Sequence, residues 1–442
     1  PSTDATRTAP TGTMKRSQYE EQIRQLLPYI TIAAILLMGV GLLLLQVPTD
    51  SLIVSFAALF CVILSGALFT PGFMLVMMRL FTPIVDRLFG VTGRMAPRAV
   101  TRSLSRTSIA VAALTISVSV IVGVSVMIGS FRSTVGNWLD NTLGADIYVS
   151  PPLLTSNSAT TDVDPAIRDL MANTAGVARV SASRSVTVQA PDYRDLPPVN
   201  LVAVDSDIST ARRYAWNIAD EGDVQAALQA GKVMVSEPFA FRRDITPENN
   251  MIRLRTDEGI QTFEVVAVYY DYSTDQGSVY MYRDTYNQYW DDPFVSSLAA
   301  YVEPDTSIDA VIQRMQTDTL QGYDLTVQDN RSLRQGVFEI FERTFTITIA
   351  LRLLATLVAF IGILSALMAL QLEHTREYGT MRANGMTPRQ LWNYTLIQTG
   401  LMGTVAGLLA LPIGIVLALV LIYVINLRSF GWTLQFTFLP DE

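Results

Sequence analysis

From Leu391 to Leu427 the chain runs for 37 residues without one charged side chain. About 20 apolar residues are enough to cross the hydrocarbon of a bilayer. This stretch is therefore read as a membrane span that tilts, kinks at Pro412 or continues beyond the lipid. Four more stretches qualify: Pro28–Gln46, Ser51–Met78, Thr107–Phe131 and Thr344–Leu372. Only "VPTD" separates the first two, so they form a hairpin. Thr344–Leu372 holds Arg352 about two turns from its outer end, where a long side chain snorkels toward the interface. The predicted fold class is membrane α-helical with five spans, plus an extracytoplasmic α+β domain.

That domain announces itself by charge. The 442 residues are 50% hydrophobic and 16% charged, too apolar for an ordinary soluble protein and too charged for spans alone. Residues 132–343 carry 31 acids against 17 bases, and the remainder 9 acids against 15 bases. An acidic block is thus set in a basic, apolar frame. Within it "ADIYVS", "ARVSASRSVTVQA", "VNLVAVD", "KVMVSE", "MIRLRT", "TFEVVAVYYDY", "GSVYMY" and "SSLAAYV" are β-branched and aromatic runs bounded by turn residues. Helical patterns lie at Asp164–Asn173, Ser307–Asp318 and from Arg331 onward. Asp291-Asp292 and Asp271…Asp275 match no EF-hand spacing and read as solvated surface rather than calcium ligands.

Lysines and arginines in short loops set the orientation. Segments 1–28, 79–106 and 373–390 hold 4, 6 and 3 bases, and Val47–Asp50 holds none. The expected order follows: a cytoplasmic segment (1–27), a two-span hairpin (28–78), a cytoplasmic elbow (79–106) and a span (107–131). The external domain (132–343), a span continuous with its last helix (344–372) and a cytoplasmic foot (373–390) come next. A span (391–427) and an external segment (428–442) close the order. In the elbow Arg94, Arg98, Arg102 and Arg106 recur every four residues beside Val100 and Leu104. This makes a basic stripe next to an apolar one, suited to a helix on the cytoplasmic leaflet. Ordinary positive-inside charge without an ordered helix is the alternative. From Arg331 to Leu372 no proline interrupts the helical pattern. As one helix that stretch would reach roughly 60 Å, with Glu339 and Arg343 paired i, i+4; a kink at the membrane surface is the alternative.

The foot reads "QLEHTREYGTMRANGMTPRQLW" over Gln371–Trp392. Glu373–Ala383 suits a helix, Asn384-Gly385 a left-handed cap, and Thr387-Pro388 the start of the next helix. Gly379 inside the foot costs about 1 kcal/mol against alanine, so a close approach by something else is expected there. "R-E-Y-G-T-M-R-A-N-G-M-T" resembles the Glu-x-Gly-x-x-Arg-Ala-x-Gly signature of MacB/FtsX/LolC-type ABC permeases, the type VII or mechanotransmission class. Glu377, Gly379, Arg382, Ala383 and Gly385 match it; Tyr378 and Asn384 depart from its usual aliphatic residues. The order of elbow, span, external domain, long helix, foot and span agrees from residue 94 to 430.

The resemblance implies an external domain of MacB-like type and a foot that docks on an ATPase subunit through Arg376, Glu377, Tyr378, Gly379, Met381, Arg382, Ala383 and Gly385. It implies ATP and magnesium in that partner and none in this chain. A second permease half or copy, the lipid bilayer and an extracytoplasmic or outer-membrane partner would complete the assembly, with no nucleic acid. The site would be the bacterial inner membrane. The cargo would be lipoprotein, lipid, peptide or drug-like, and the chain would be the second half of a ten-span permease lacking its last span. An external sensor or receptor, and a regulator of cell-wall hydrolases of FtsX type, are the alternatives.

The residues agree with a non-catalytic role. No G-x-x-x-x-G-K-[ST] loop is present, the only histidine is His374 in the foot, and the only cysteine is Cys61 in an apolar run. No P-loop, external Ser-His-Asp triad, disulfide framework or cysteine zinc site follows. Gly403, Gly407 and Gly414 lie at helical spacing and are expected to seat neighbouring helices.

Overall fold

A computed structural model describes residues 16–49, 51–152, 162–209, 212–373 and 375–437. The chain divides into two compact units. One is helical (residues up to Ser130, Thr346–Arg428 and Phe436 onward); the other is built on a sheet (Phe131–Phe345 and Ser429–Gln435).

In the helical unit, Arg16–Gln46 and Leu52–Arg102 form the hairpin, followed by Leu104–Thr142 and, late in the chain, Pro388–Val420. The late helix passes Pro412 unbroken, then takes a π-helical turn (Leu421–Asn426) and ends at Phe430. Small side chains make the close contacts. The Ser65 hydroxyl donates to the Ala34 carbonyl at 2.7 Å. An added Cβ on Gly66 would lie 2.6 Å from Ile413, and one on Gly123 2.4 Å from Leu417. Arg428 holds the turn of the hairpin: its guanidinium donates to the carbonyls of Leu45 and Val47 and to the Ser55 hydroxyl at 2.8–2.9 Å.

One expectation changes here. Four helices among the described residues are long and apolar enough to cross a membrane, not five: Gln25–Gln46, Leu52–Arg102, Leu104–Thr142 and Pro388–Phe430. Thr344–Leu372 is helical, as part of Asn330–Glu373, but many of its side chains, Arg352 included, lie outside the described ones. The segment 79–106 is almost wholly helix, as expected of the elbow. Its break is Gly90, at φ 58° and ψ −136°, a backbone that glycine tolerates and other residues rarely adopt. Gly93 then turns in so closely that a Cβ would lie 2.1 Å from the Val85 carbonyl oxygen.

Among the described residues the sheet unit carries ten strands: β1 (Ile147–Ser150), β2 (Val177–Val188), β3 (Val199–Val204), β4 (Tyr214–Asn217), β5 (Val233–Ser236), β6 (Met251–Thr256), β7 (Gly259–Tyr269), β8 (Ser278–Tyr282), β9 (Ser297–Val302) and β10 (Thr326–Asp329). Their order is β10-β1-β9-β2-β3-β8-β5-β7-β4, with β6 on β7; β3–β8 and β5–β7 are parallel and the other pairs antiparallel. The expected α+β character holds. One sheet serves three cores, one around Ile147, Met171, Leu298 and Met315, one around Leu201, Phe239, Ile252 and Tyr286, and a smaller one around Leu228, Met234 and Tyr269. In β6 the period-two rule is plain: Ile252, Leu254 and Thr256 point in while Met251, Arg253 and Arg255 point out.

Polar pairing fixes the edges of these cores. Arg184, only 8% exposed, takes Asp292 at 2.6 Å and Asp162 at 2.7 Å, and Tyr286 donates to Asp292 at 2.7 Å. Burial opposes both charges. The hydrogen bonds outweigh it, raising the Arg184 pKa and lowering that of Asp292. Asp271 is buried and accepts from the Ser273 amide and hydroxyl. Neither Asp271 nor Asp292 is therefore the solvated surface expected of them: each lies where local donors replace water.

The helix Asn330–Glu373 leaves this unit from a fixed origin. Asn330 donates to the carbonyls of Leu143 and Ala145, both at 2.8 Å, and Arg334 pairs with Asp140. The Glu339–Arg343 pair forms at 2.8 Å, and the helix is continuous to Glu373. Ser429–Gln435 lies along the same unit: Glu237 accepts from the Thr433 amide and hydroxyl, and Tyr272 donates to the Thr433 carbonyl.

Candidate coupling site

The foot helix spans Thr375–Ala383. Its end closes as a glycine cap: Gly385 at φ 93°, its amide on the Arg382 carbonyl and the Met386 amide on the Met381 carbonyl. Two residues later the next helix is capped on both sides. The Gln390 amide donates to the Thr387 hydroxyl at 3.3 Å, and the Thr387 amide donates to the Gln390 side chain at 2.9 Å. This capping box makes the 384–387 turn a rigid corner. The sequence reading found Thr387-Pro388 but missed Gln390, whose Thr-x-x-Gln spacing was the available signal.

The foot has two faces. Tyr378, Met381 and Met386 are half-buried on the cluster that includes Met74, Met78, Val100, Tyr394 and Met402. Tyr378 meets Tyr394 edge to face at 6.4 Å between centroids, and burial pushes its hydroxyl pKa up. The tyrosine that departs from the aliphatic pattern thus does an aliphatic residue's packing. Glu377, Gly379, Arg382, Ala383 and Gly385 are exposed, and Trp392 is 66% exposed one turn into the next helix. A Cβ on Gly379 would meet nothing within 4 Å. His374 and the side chain of Arg376 lie outside the described residues.

The other expected positions divide. Arg94, Arg98, Arg102 and Arg106 are exposed while Ala96, Val100 and Leu104 are buried, so the elbow is an ordered amphipathic helix with its apolar stripe turned to the bundle. Gly414 is a seat: a Cβ there would lie 2.8 Å from Val122 and 3.0 Å from the Ser119 carbonyl oxygen. Gly403 and Gly407 seat no neighbour among the described residues, since a Cβ on either meets nothing of them within 4 Å.

A family model described as MacB-like periplasmic core domain matches residues 107–318, and one described as FtsX-like permease C-terminal matches residues 349–441. An uncharacterized ABC transporter permease protein of Mycobacterium tuberculosis is 45% identical over 442 residues, 99% of this chain and 51% of the relative. The chain belongs to the MacB/FtsX-type permease family. It spans about half the length of that relative.

Among solved structures, this permease is similar to the periplasmic region of MacB from Actinobacillus actinomycetemcomitans: 11% identity, TM-score 0.31, 45% of this chain and 95% of that one. It is also similar to the extracellular domain of the noncanonical ABC-type transporter YknZ from Gram-positive bacteria: 13% identity, TM-score 0.30, 42% of this chain and 100% of that one. In the permease, residues 107–318 of the first model run from the helix Leu104–Thr142 through β1–β9, and residues 349–441 of the second include the foot and its two-sided corner.

Proposed function

We propose that this permease is a non-catalytic subunit that relays ATP-driven motion of a separate ATPase to its external domain, with the foot as coupling helix. The observation that carries the reading is Gly379. Glycine weakens the foot by about 1 kcal/mol, and no atom of the described chain needs the space. A partner surface at Gly379, flanked by Glu377 and Arg382, accounts for that cost, while Tyr378 and Met381 transmit the load into the bundle.

On this reading the foot and the elbow are cytoplasmic, the sheet unit is extracytoplasmic, and the protein crosses the cytoplasmic membrane several times. Thr344–Leu372 is its fifth span: Leu353, Leu357, Phe360, Ile361, Leu364 and Met368 are exposed there, as lipid or a second permease half would require. The relative's double length fits a partner half on the same chain. Export or extraction of a lipid-like, lipoprotein, peptide or drug-like cargo is the class of work such a relay performs.

Co-purification with the ATPase and coupled hydrolysis test this. Leucine raises helix propensity, so Gly379→Leu should leave the permease folded yet reduce ATPase association at least tenfold, and Glu377→Arg should uncouple hydrolysis from transport. Unchanged association and coupling in both variants would reduce the foot to a connector. In a Cys61→Ser background, cysteine at Asp275 should react with an impermeant thiol reagent from outside and cysteine at Thr387 should not.

A further inference from the structure

On either side of the break at Gly90 two rows of side chains face outward among the described residues. Before it, Leu80, Ile84 and Leu88 recur every four residues and are exposed, as are Phe89 and Val91 on either side of the glycine. After it come Arg94, Arg98, Arg102 and Arg106, and before it Arg79 and Arg87, all exposed. The only acid between residues 79 and 106 is Asp86. Arg79, Arg87, Arg94, Arg98 and Arg102 join no ion pair among the described residues.

Like charges at i, i+4 repel on a helix. Two consecutive steps of four within one helix, from Arg94 to Arg102, therefore weaken the elbow unless something anionic lies along it. The adjacent apolar row is the second half of the recognition. A soluble anion would use the arginines and leave Leu80, Ile84 and Leu88 in water, whereas an anionic bilayer surface takes both. Guanidinium forks match phosphate geometry, and the leucine row enters the headgroup–acyl boundary. We infer that residues 79–106 form a binding surface for anionic phospholipid, with Arg94, Arg98 and Arg102 on headgroup phosphates. The inference rests on the chain crossing a bilayer and is independent of the foot's proposed role.

The test uses the full chain reconstituted in nanodiscs of phosphatidylcholine, with or without phosphatidylglycerol. The readouts are lipid retained in native mass spectrometry and the thermal midpoint. The wild type should retain phosphatidylglycerol preferentially and unfold at higher temperature in its presence, less so at high salt. Each arginine replaced among Arg94→Gln, Arg98→Gln and Arg102→Gln should lower the preference about fivefold; the matching lysine triple variant, which keeps the charge, should retain most of it. Loss in the lysine variant as well would mean that the substitutions damage the fold, and equal preference in wild type and glutamine variant would mean that the stripe ignores lipid. Either result overturns the inference. So does stabilisation by inorganic phosphate in phosphatidylcholine discs, which would make this a soluble-anion site. Loss of ATPase association with lipid preference intact would make it a protein-docking face.

Discussion

The sheet unit and the helical unit sort their side chains by opposite rules. In the sheet unit Leu201, Ile252 and Val265 are fully inside, and the outward row of β6 carries Arg253 and Arg255. In the helical unit the outward positions include Ile53 at 82% exposure and Leu36 and Phe60 at 65%, while Ala34, Ser55, Ala58, Ser65 and Thr70 are buried. Where water is the solvent, polarity decides which side faces in. Where lipid is the solvent, apolarity alone confers no preference for the inside: small side chains let helices approach, and Met74, Met78 and Leu104 fill the space between them. Charges divide likewise: Arg184 is enclosed by two aspartates, whereas the elbow arginines face outward without ion pairs except where Arg106 engages its surroundings.

The largest effect is expected where the water rule is strictest. Arg184→Ala strands the Asp292 carboxylate at the edge of the sheet cores, while Asp162 is exposed enough to return to water; breaking a buried pair typically costs about 3–5 kcal/mol. Denaturant unfolding of the full chain, followed by hydrogen exchange in β2 and β9, should show it. A loss below about 1 kcal/mol would place this pair with ordinary surface bridges and blur the contrast.

Next comes the size rule. Gly414→Leu drives a side chain into Val122 and should cost about 1–3 kcal/mol, whereas Gly403→Leu, with open space around it, should leave the isolated permease within about 0.5 kcal/mol of wild type. Thermal unfolding in detergent compares them. Equal penalties would mean that size does not sort the helical unit. A penalty for Gly403→Leu only in the assembled transporter would mark that face as covered by a partner.

The smallest effect is a pH dependence confined to the sheet unit. Burial raises the Glu237 pKa above its ordinary value, partly offset by the two bonds from Thr433. The folded state therefore holds the proton more tightly than the unfolded one. Its stabilising contribution is fully present below the unfolded value and is lost as pH rises through the folded value. Acidification from neutral should thus strengthen the hold on Ser429–Gln435, read as slower hydrogen exchange there, and Glu237→Gln should flatten the dependence. An opposite slope would mean that the Thr433 bonds outweigh burial.

How much of this could be read from residues follows the same division. β6 was legible to the residue, because "MIRLRT" alternates against water. β4 and β10 were not: each is a four-residue edge strand with one neighbour in the main sheet order, and so few residues carry no period. The foot's corner was legible because Asn384-Gly385 and Thr387-Pro388 act through their own local chemistry. Gly403, Gly407 and Gly414 looked alike because helical spacing names a face without naming what covers it. Asp292 was hard to read for the same reason: the cation that replaces water there, Arg184, lies 108 positions away in sequence.

The Arg428 contact bears on modularity. One guanidinium terminates the first hairpin helix, at Leu45 and Val47, and tethers the start of the second, at Ser55. A hairpin that looks like a spacer is thus latched by a residue more than 370 positions downstream. Chimeras that exchange or delete it would leave a cation without its three acceptors beside an apolar bundle. Hairpin and latch should therefore be transplanted together, as a single exchangeable cassette.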